Sequence, residues 1–418
     1  MAEAAPAGLI RRTFSSLWER NFRLFFFGQL ISNSGNWLTI VAVTLLVLHR
    51  THSGAAVGLL SACQFGPILV LSAWAGVVAD RWDKRRLLYV TQSLEMTQSA
   101  VLAVLAFLPH TPVIAFYLTM LAGGVMLAFD NPARRSFVNE MVGAEDVPNA
   151  VTLYSGMVNL SRIFGPTLAA FLVAGAGYGW TFTVDAASYV VVITALVLMR
   201  PDELRRAERT PRARGQIRAG LRYLAGIPEV WISFVMLLVI GTVSYNFTVV
   251  FPLFVERGLH GSDGDFGLVY ATFSAGSVLG TLAVARRSRI SLRTIVIGAA
   301  VFGLSLLALW PVPDLALAFP VVAAVGGASV SYMTATTALA QIRSERKMIG
   351  RVLAIQTVLL IGTTPIGGPI LGVLADGAGA RSPLLAGGVA ALAAAGFGLV
   401  MGRRTGTLGA GGRPPRIQ

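Results

Sequence analysis

The chain has 418 residues, of which 55% are hydrophobic and 13% charged, with a net charge of +14. A soluble domain uses about 25% charged residues, and a soluble core of this size would lack the polar surface to cover it. The basic residues are dispersed rather than gathered in one patch, which argues against nucleic acid as the partner.

A bilayer crossing takes about 20 apolar residues. Twelve such segments can be read in chain order: 22–48, 55–79, 87–108, 113–129, 147–174, 180–199, 230–255, 266–285, 294–310, 315–340, 349–375 and 384–401. Short turn-like gaps, such as 109–112 and 311–314, separate them. Backbone groups in lipid must bond within their own segment, so these are helices and the fold class is all-α, membrane-embedded.

The arm before the first segment carries Arg11, Arg12, Arg20 and Arg23. The apolar run after it is too long for a signal-peptide core and lacks a small-residue cleavage site. The gap after the second segment holds Arg81, Lys84, Arg85 and Arg86, and the next even gap Arg134 and Arg135. Arg286, Arg287, Arg289 and Arg293 follow the eighth segment. In all, 30 of the 34 Lys and Arg residues fall at the arm, the even gaps and the tail, against Arg50, Arg257 and Arg381 in the odd gaps. Basic residues stay on the cytoplasmic side, so both termini are expected inside the cytoplasmic membrane of a bacterium.

The longest polar stretch divides the segments six and six. It predicts an N-terminal bundle over 1–199, a cytoplasmic linker over 200–229 and a C-terminal bundle over 230–418. Within the linker, 217–224 is amphipathic and is expected on the membrane surface with its arginines toward lipid headgroups. Gly165-Pro166 in the fifth segment and Gly368-Pro369 in the eleventh mark a parallel repeat, which places a binding path between the halves near the midplane.

Charges inside apolar segments are costly and mark function by default. Arg162, in the fifth segment, has two open roles. It attracts an anionic solute, or it is the structural counter-ion of Asp185. Glu95, Asp130 and Asp185 are the carboxylates in or at the ends of these segments. The four histidines lie in or beside outer gaps with no metal-ligand spacing, so no metal site is expected. Cys63 is the single cysteine, which excludes an intrachain disulfide. Gly54/Gly58, Gly276/Gly280 and Gly368/Gly372 have the spacing of close helix contacts. No phosphate-binding loop and no hydrolase constellation appear, and no gap could hold a soluble catalytic module. The chain is therefore expected not to be an enzyme, and no cofactor is implied.

The gap after the second segment reads Gly76-Val-Val-Ala-Asp80-Arg81-Trp-Asp83-Lys84-Arg85-Arg86. It resembles the signature loop of the major facilitator superfamily, with Asp83 in place of the usual second glycine. The stretch from Phe129 through Asp130, Arg134 and Arg135 to Phe137 is similar to the enterobactin-exporter-like branch of twelve-helix drug and siderophore exporters. So are Asn149-Ala150, Asn159 through Arg162 to Gly165-Pro166, Asn246-Phe247, and Gly350 through Val352 leading to Pro365 and Pro369.

The resemblance implies two six-helix bundles and alternating access. Gly76 and Asp80 would form a cytoplasmic latch with the start of the eleventh helix, with Arg81, Lys84 and Arg85 pairing to Asp130. A cavity from the path-lining helices would include Asn33, Asn36, Trp37, Asn159, Arg162, Tyr245, Asn246 and Tyr332. Gly165-Pro166 and Gly368-Pro369 would bend their helices toward the facing half. The implied work is efflux of a small amphipathic molecule, a siderophore or drug, by antiport against protons carried by Glu95, Asp130 or Asp185, in a monomer whose other partner is the bilayer. The alternative is a proton-coupled uptake symporter for a small organic anion.

Overall fold

A computed structural model describes residues 14–205, 216–285, 290–345 and 348–408. Every regular element among them is helical. In chain order they are α1 (Arg20–Thr51), α2 (Gly54–Arg81), α3 (Lys84–Phe107), α4 (Val113–Phe137), α5 (Val147–Ala176), α6 (Tyr178–Leu198), α7 (Gln216–Ala225), α8 (Pro228–Val243), α9 (Phe247–Leu253), α10 (Asp263–Ala285), α11 (Leu292–Leu309), α12 (Leu315–Arg343), α13 (Ile349–Ile361), α14 (Thr364–Ala378) and α15 (Ser382–Arg404). Eleven spans among the described residues are long and apolar enough to cross a bilayer, so the protein is a multi-pass membrane protein. Two of these spans, Pro228–Gly258 and Ile349–Ala378, are built from broken helices.

Eleven rather than twelve spans reflects one element. The expected third segment is a helix of full length, α3, but Thr91, Gln92, Glu95 and Ser99 on its buried face dilute its apolar character. Those residues are turned into protein, not lipid.

Contacts divide the chain into two units, residues 1–46 with 66–211, and residues 47–65 with 212–418. This differs from the expected bundles at 47–65. The change-over falls inside two continuous helices, between Leu46 and Val47 of α1 and between Phe65 and Gly66 of α2, next to Pro67.

In the first unit, Phe22, Phe25, Leu88, Phe137, Met157 and Leu196 belong to one buried apolar cluster, with Phe25 edge-on to Phe137 at 5.7 Å. Short polar ties fix the start of α1. Ser15 Oγ donates to Asp146 Oδ1 at 2.7 Å, and the Ser16 amide donates to Asn149 Oδ1 at 3.2 Å. Asn21 exchanges two hydrogen bonds with the backbone of Arg200 just past α6.

In the second unit, α10 and α12 meet backbone to backbone. A Cβ at Gly276 would strike the carbonyl of Ala323, and one at Gly280 the carbonyl of Gly327. Gly54 and Gly58 of α2 meet Gly372 and Gly368 of α14 in the same way. Leu48, Val57, Val249, Leu253 and Ala375 form a buried cluster in this unit. The α8–α9 break is satisfied locally: Ser244 Oγ donates to Gly387 O at 2.7 Å and Asn246 Nδ2 to Thr242 O at 2.7 Å. Backbone freed by a break in lipid needs such partners.

The linker helix α7 docks on its own unit at its C-terminal end. Leu224 is buried with Val230, Phe234, Ala340, Val352 and Ile355, and Tyr223 Oη accepts from the Glu345 amide at 2.9 Å. Leu224 and Gly220 lie one turn apart and both meet protein of this unit.

Candidate functional site

The loop between α2 and α3 is short because Asp83 caps α3. Its side chain accepts from the Arg86 amide at 2.9 Å, which explains an aspartate where a glycine was expected. Gly76 is buried and Arg81 is exposed at the end of α2. The Asp80 side chain lies outside the described residues. Lys84 pairs with Glu140. Arg85 donates to the carbonyls of Leu196 at 2.8 Å and Val197 at 3.2 Å, orphan acceptors at the end of α6. The expected pairing of Lys84 and Arg85 to Asp130 is therefore replaced by partners nearer the surface.

Asp130 is instead the centre of a buried network, and its cation is Arg134, one turn along α4. Thr91 Oγ1 and Gln92 Nε2 each donate to Asp130 Oδ1 at 2.8 Å. Gln92 also donates to Glu95 at 3.1 Å, and Arg134 approaches Glu95 at 4.0 Å. On the other side Arg134 Nη1 donates to Asn33 Oδ1 at 2.7 Å. All of these groups but Asn33 are buried. Two carboxyls thus share one guanidinium. Glu95 Oε1, Arg134 Nε and Gln29 Nε2 remain buried without hydrogen-bond partners. Partly satisfied polar groups in a low-dielectric interior are costly.

Asp185 occupies a second centre. It is fully buried and accepts from Thr39 Oγ1 of α1 at 2.5 Å, Ser99 Oγ of α3 at 2.7 Å and Ser188 Oγ of its own helix at 3.3 Å. Among the described residues no ion pair joins Arg162 to Asp185, so the counter-ion role is not borne out. Arg162 is exposed and lies over the Trp37 ring, 5.5 Å from its centroid. Asn159 is exposed one turn earlier on α5, and Asn36 donates to Tyr189 Oη at 3.3 Å. The first unit thus brings together Asn33, Asn36, Trp37 and Arg162 through α1. Gly165 packs on Ser34 and Trp37 of α1 within its own unit, and α5 runs continuously through Pro166.

The second unit holds Tyr245, Asn246 and Tyr332. Tyr245 Oη donates to the Ser329 carbonyl. Tyr245 and Phe247 sit in an aromatic group with Phe251, Phe273 and Phe302. Asn246 Oδ1 and Tyr332 Oη are buried without a partner, free acceptor and donor capacity in the interior of this unit. The break between α13 and α14 at Gly362–Thr363 precedes Gly368-Pro369, and Gly367 abuts Thr242 and Asn246.

Sequence reasoning missed Asp376. At the end of α14 it accepts from the amides of Gly54 at 2.7 Å and Ala55 at 2.9 Å, from Ser53 Oγ at 2.8 Å and from Arg257 at 2.5 Å. One carboxylate caps the start of α2 from another helix, where orphan amides and the helix dipole favour negative charge. Nearby on the same side of the chain, His49 lies 3.5 Å from Glu256 and 3.7 Å from Asp263.

Comparison with known proteins gives the following. The profile of the family described as "Transmembrane secretion effector" matches residues 11–405. The staphyloferrin A transporter of Staphylococcus aureus is 26% identical over 62% of this chain, and the match spans 66% of that protein, just under two thirds of its length. The multidrug efflux pump Tap of Mycolicibacterium fortuitum is 26% identical over 87% of this chain and 91% of its own. The enterobactin exporter EntS of Salmonella typhimurium is 26% identical over 62% of each chain. Among solved structures, a bacterial homologue of the lysosomal transporter Spinster superposes with a TM-score of 0.72 at 15% identity, covering 92% of this chain and 97% of that one. A POT family transporter in complex with 5-aminolevulinic acid gives 0.75 at 11% identity, covering 92% and 96%. These likenesses carry the fold.

Proposed function

The chain belongs to the transmembrane secretion effector family of major facilitator transporters, and from that premise we propose that it exports a small amphipathic molecule, a siderophore or drug, in exchange for protons. Its relatives named for efflux or siderophore export support the direction. The observation that carries the coupling is the buried Asp130–Arg134–Glu95 network. With both carboxyls ionised the group is one charge negative, and one proton makes it neutral. A carrier that exchanges a proton for solute needs a charge that two conformations hold differently.

Arg134 then acts as the element shared between the carboxyls. When a proton settles on one of them, the guanidinium is released to the other and to Asn33 on α1, the helix that also carries Trp37. Arg162, Asn159 and Trp37 are the first-unit groups assigned to solute. Tyr245, Asn246 and Tyr332 are those of the second. The solute class is bulky, partly aromatic and neutral or anionic, because the polar groups are amides and phenols with one cation. Asp80 is assigned to a cytoplasmic latch, and both termini to the cytoplasm of a bacterial cell, with a monomer as the working unit.

Inside-out vesicles carrying the protein are expected to accumulate a labelled siderophore or dye when their lumen is acidified, and to stop when the gradient is collapsed. Accumulation only in right-side-out vesicles would establish uptake and overturn the export reading. Glu95→Gln, which leaves Asp130 paired to Arg134, is expected to abolish gradient-driven accumulation while solute binding survives. Retained gradient dependence in that variant would remove Glu95 from coupling.

A further inference from the structure

Asp185 is an unusual group to find in an apolar bundle. It is fully buried, and among the described residues no Lys, Arg or His is ion-paired with it. Glu95 on α3 and Tyr189 on α6 are titratable groups that act on it, Arg134 lies beyond them and acts on both, and Gly35 and Thr39 of α1 lie against it. A carboxyl so placed is neutralised by a proton or by a cation.

The geometry around it is that of a cation cradle. Two carboxylate oxygens and the hydroxyls of Thr39, Ser99 and Ser188 converge from three helices. The donor set is all oxygen, with no nitrogen or sulfur, and so suits a hard cation rather than a transition metal. Gly35 faces the same point. A Cβ there would run into Ser188 Oγ and Asp185 Oδ1, so only a glycine lets α6 close on α1 at this point.

We propose that Asp185, Thr39, Ser99 and Ser188 form a Na⁺ site. In the present arrangement the three hydroxyls donate to the carboxylate. A helical hydroxyl has a second option, donation to the carbonyl four residues back, which Thr44 and Thr181 of this protein take at 2.7 and 2.9 Å. Entry of the ion turns the protons of Thr39, Ser99 and Ser188 toward the carbonyls of Gly35, Glu95 and Val184, and offers the freed lone pairs to the metal. The ion then ties α1, α3 and α6 together through one charge. The site deepens the transporter reading, on which its place in a transport cycle rests; binding itself is measurable without transport.

The test uses the purified full chain in lipid nanodiscs and thermal unfolding in NaCl, KCl or choline chloride at equal ionic strength. The unfolding midpoint is expected to climb with the logarithm of Na⁺ concentration, as for a ligand that binds only the folded state, and to stay flat in choline. Asp185→Asn and Thr39→Val are expected to lose the climb. Equal midpoints in Na⁺ and choline, or a response that persists in Asp185→Asn, overturn the site. Should Asp185→Asn fail to fold, Ser99→Ala decides: a shift of the response to roughly tenfold higher Na⁺ supports the site, and an unchanged response overturns it. A wild-type chain that shows the Na⁺ response but moves no solute refutes the export reading alone. A wild-type chain that moves solute but shows no Na⁺ response removes the site alone.

Discussion

Arg134 and Arg162 exchange the roles their positions in the sequence suggest. Arg162 stands alone in an apolar run and draws attention, yet it is exposed beside Trp37. Arg134 counts with the cytoplasmic basic residues, yet it is buried against two carboxyls. The signal was present: Asp130 and Arg134 are four residues apart, which sets them on one helix face. Their depth was not legible, because depth depends on how α1 and α3 cover that face. Removing one partner of a buried ion pair costs about 3–5 kcal/mol, most of it from the charge left behind. Arg134→Ala is expected to lower the thermal midpoint sharply, and adding Glu95→Gln and Asp130→Asn is expected to restore much of the loss. An additive decline across the triple variant would separate the three residues. Arg162→Ala, by contrast, is expected to leave stability near wild type and to weaken anionic solutes more than neutral ones in binding assays. An equal loss for both classes would place Arg162 outside solute recognition.

Helices carry the next level of information. The positions of the apolar segments followed from length and hydropathy, and the glycine pairs from spacing alone, since only small residues let backbones touch in lipid. Two elements resisted. α3 reads as a lipid span but turns a polar face inward, and α7 reads as a membrane-surface helix but docks on its own unit. In both cases amphipathic pattern gives the face and not what covers it. At this scale Asp83→Ala removes the α3 cap and is expected to cost about 0.5–2 kcal/mol, seen as a small drop in midpoint with binding intact. Gly280→Leu is expected to be far worse, because the added atoms meet the Gly327 backbone carbonyl, which cannot rotate away. Overpacking of about 1–3 kcal/mol or more should appear as loss of folded protein in detergent. Near-normal yield of that variant would mean that α10 and α12 can part at little cost.

For the molecule as a whole, sequence and structure agree on a helical membrane protein, and differ over where one body of the chain ends and the next begins. Charge asymmetry and the long polar stretch at 200–229 mark the linker, but contacts assign 47–65 to the later helices. That assignment could not be read locally, because it depends on Asp376, Gly368 and Gly372, which are more than three hundred residues away in the chain. A continuous helix that changes allegiance partway along behaves as a lever, and a lever needs a flexure. In α2 the change-over coincides with Gly66-Pro67, where proline cannot supply its backbone hydrogen bond and Gly66 has open space beside it. Pro67→Ala should stiffen that point. Turnover in vesicles is expected to slow while equilibrium affinity for solute holds, and unchanged turnover would show that α2 swings as a rigid rod.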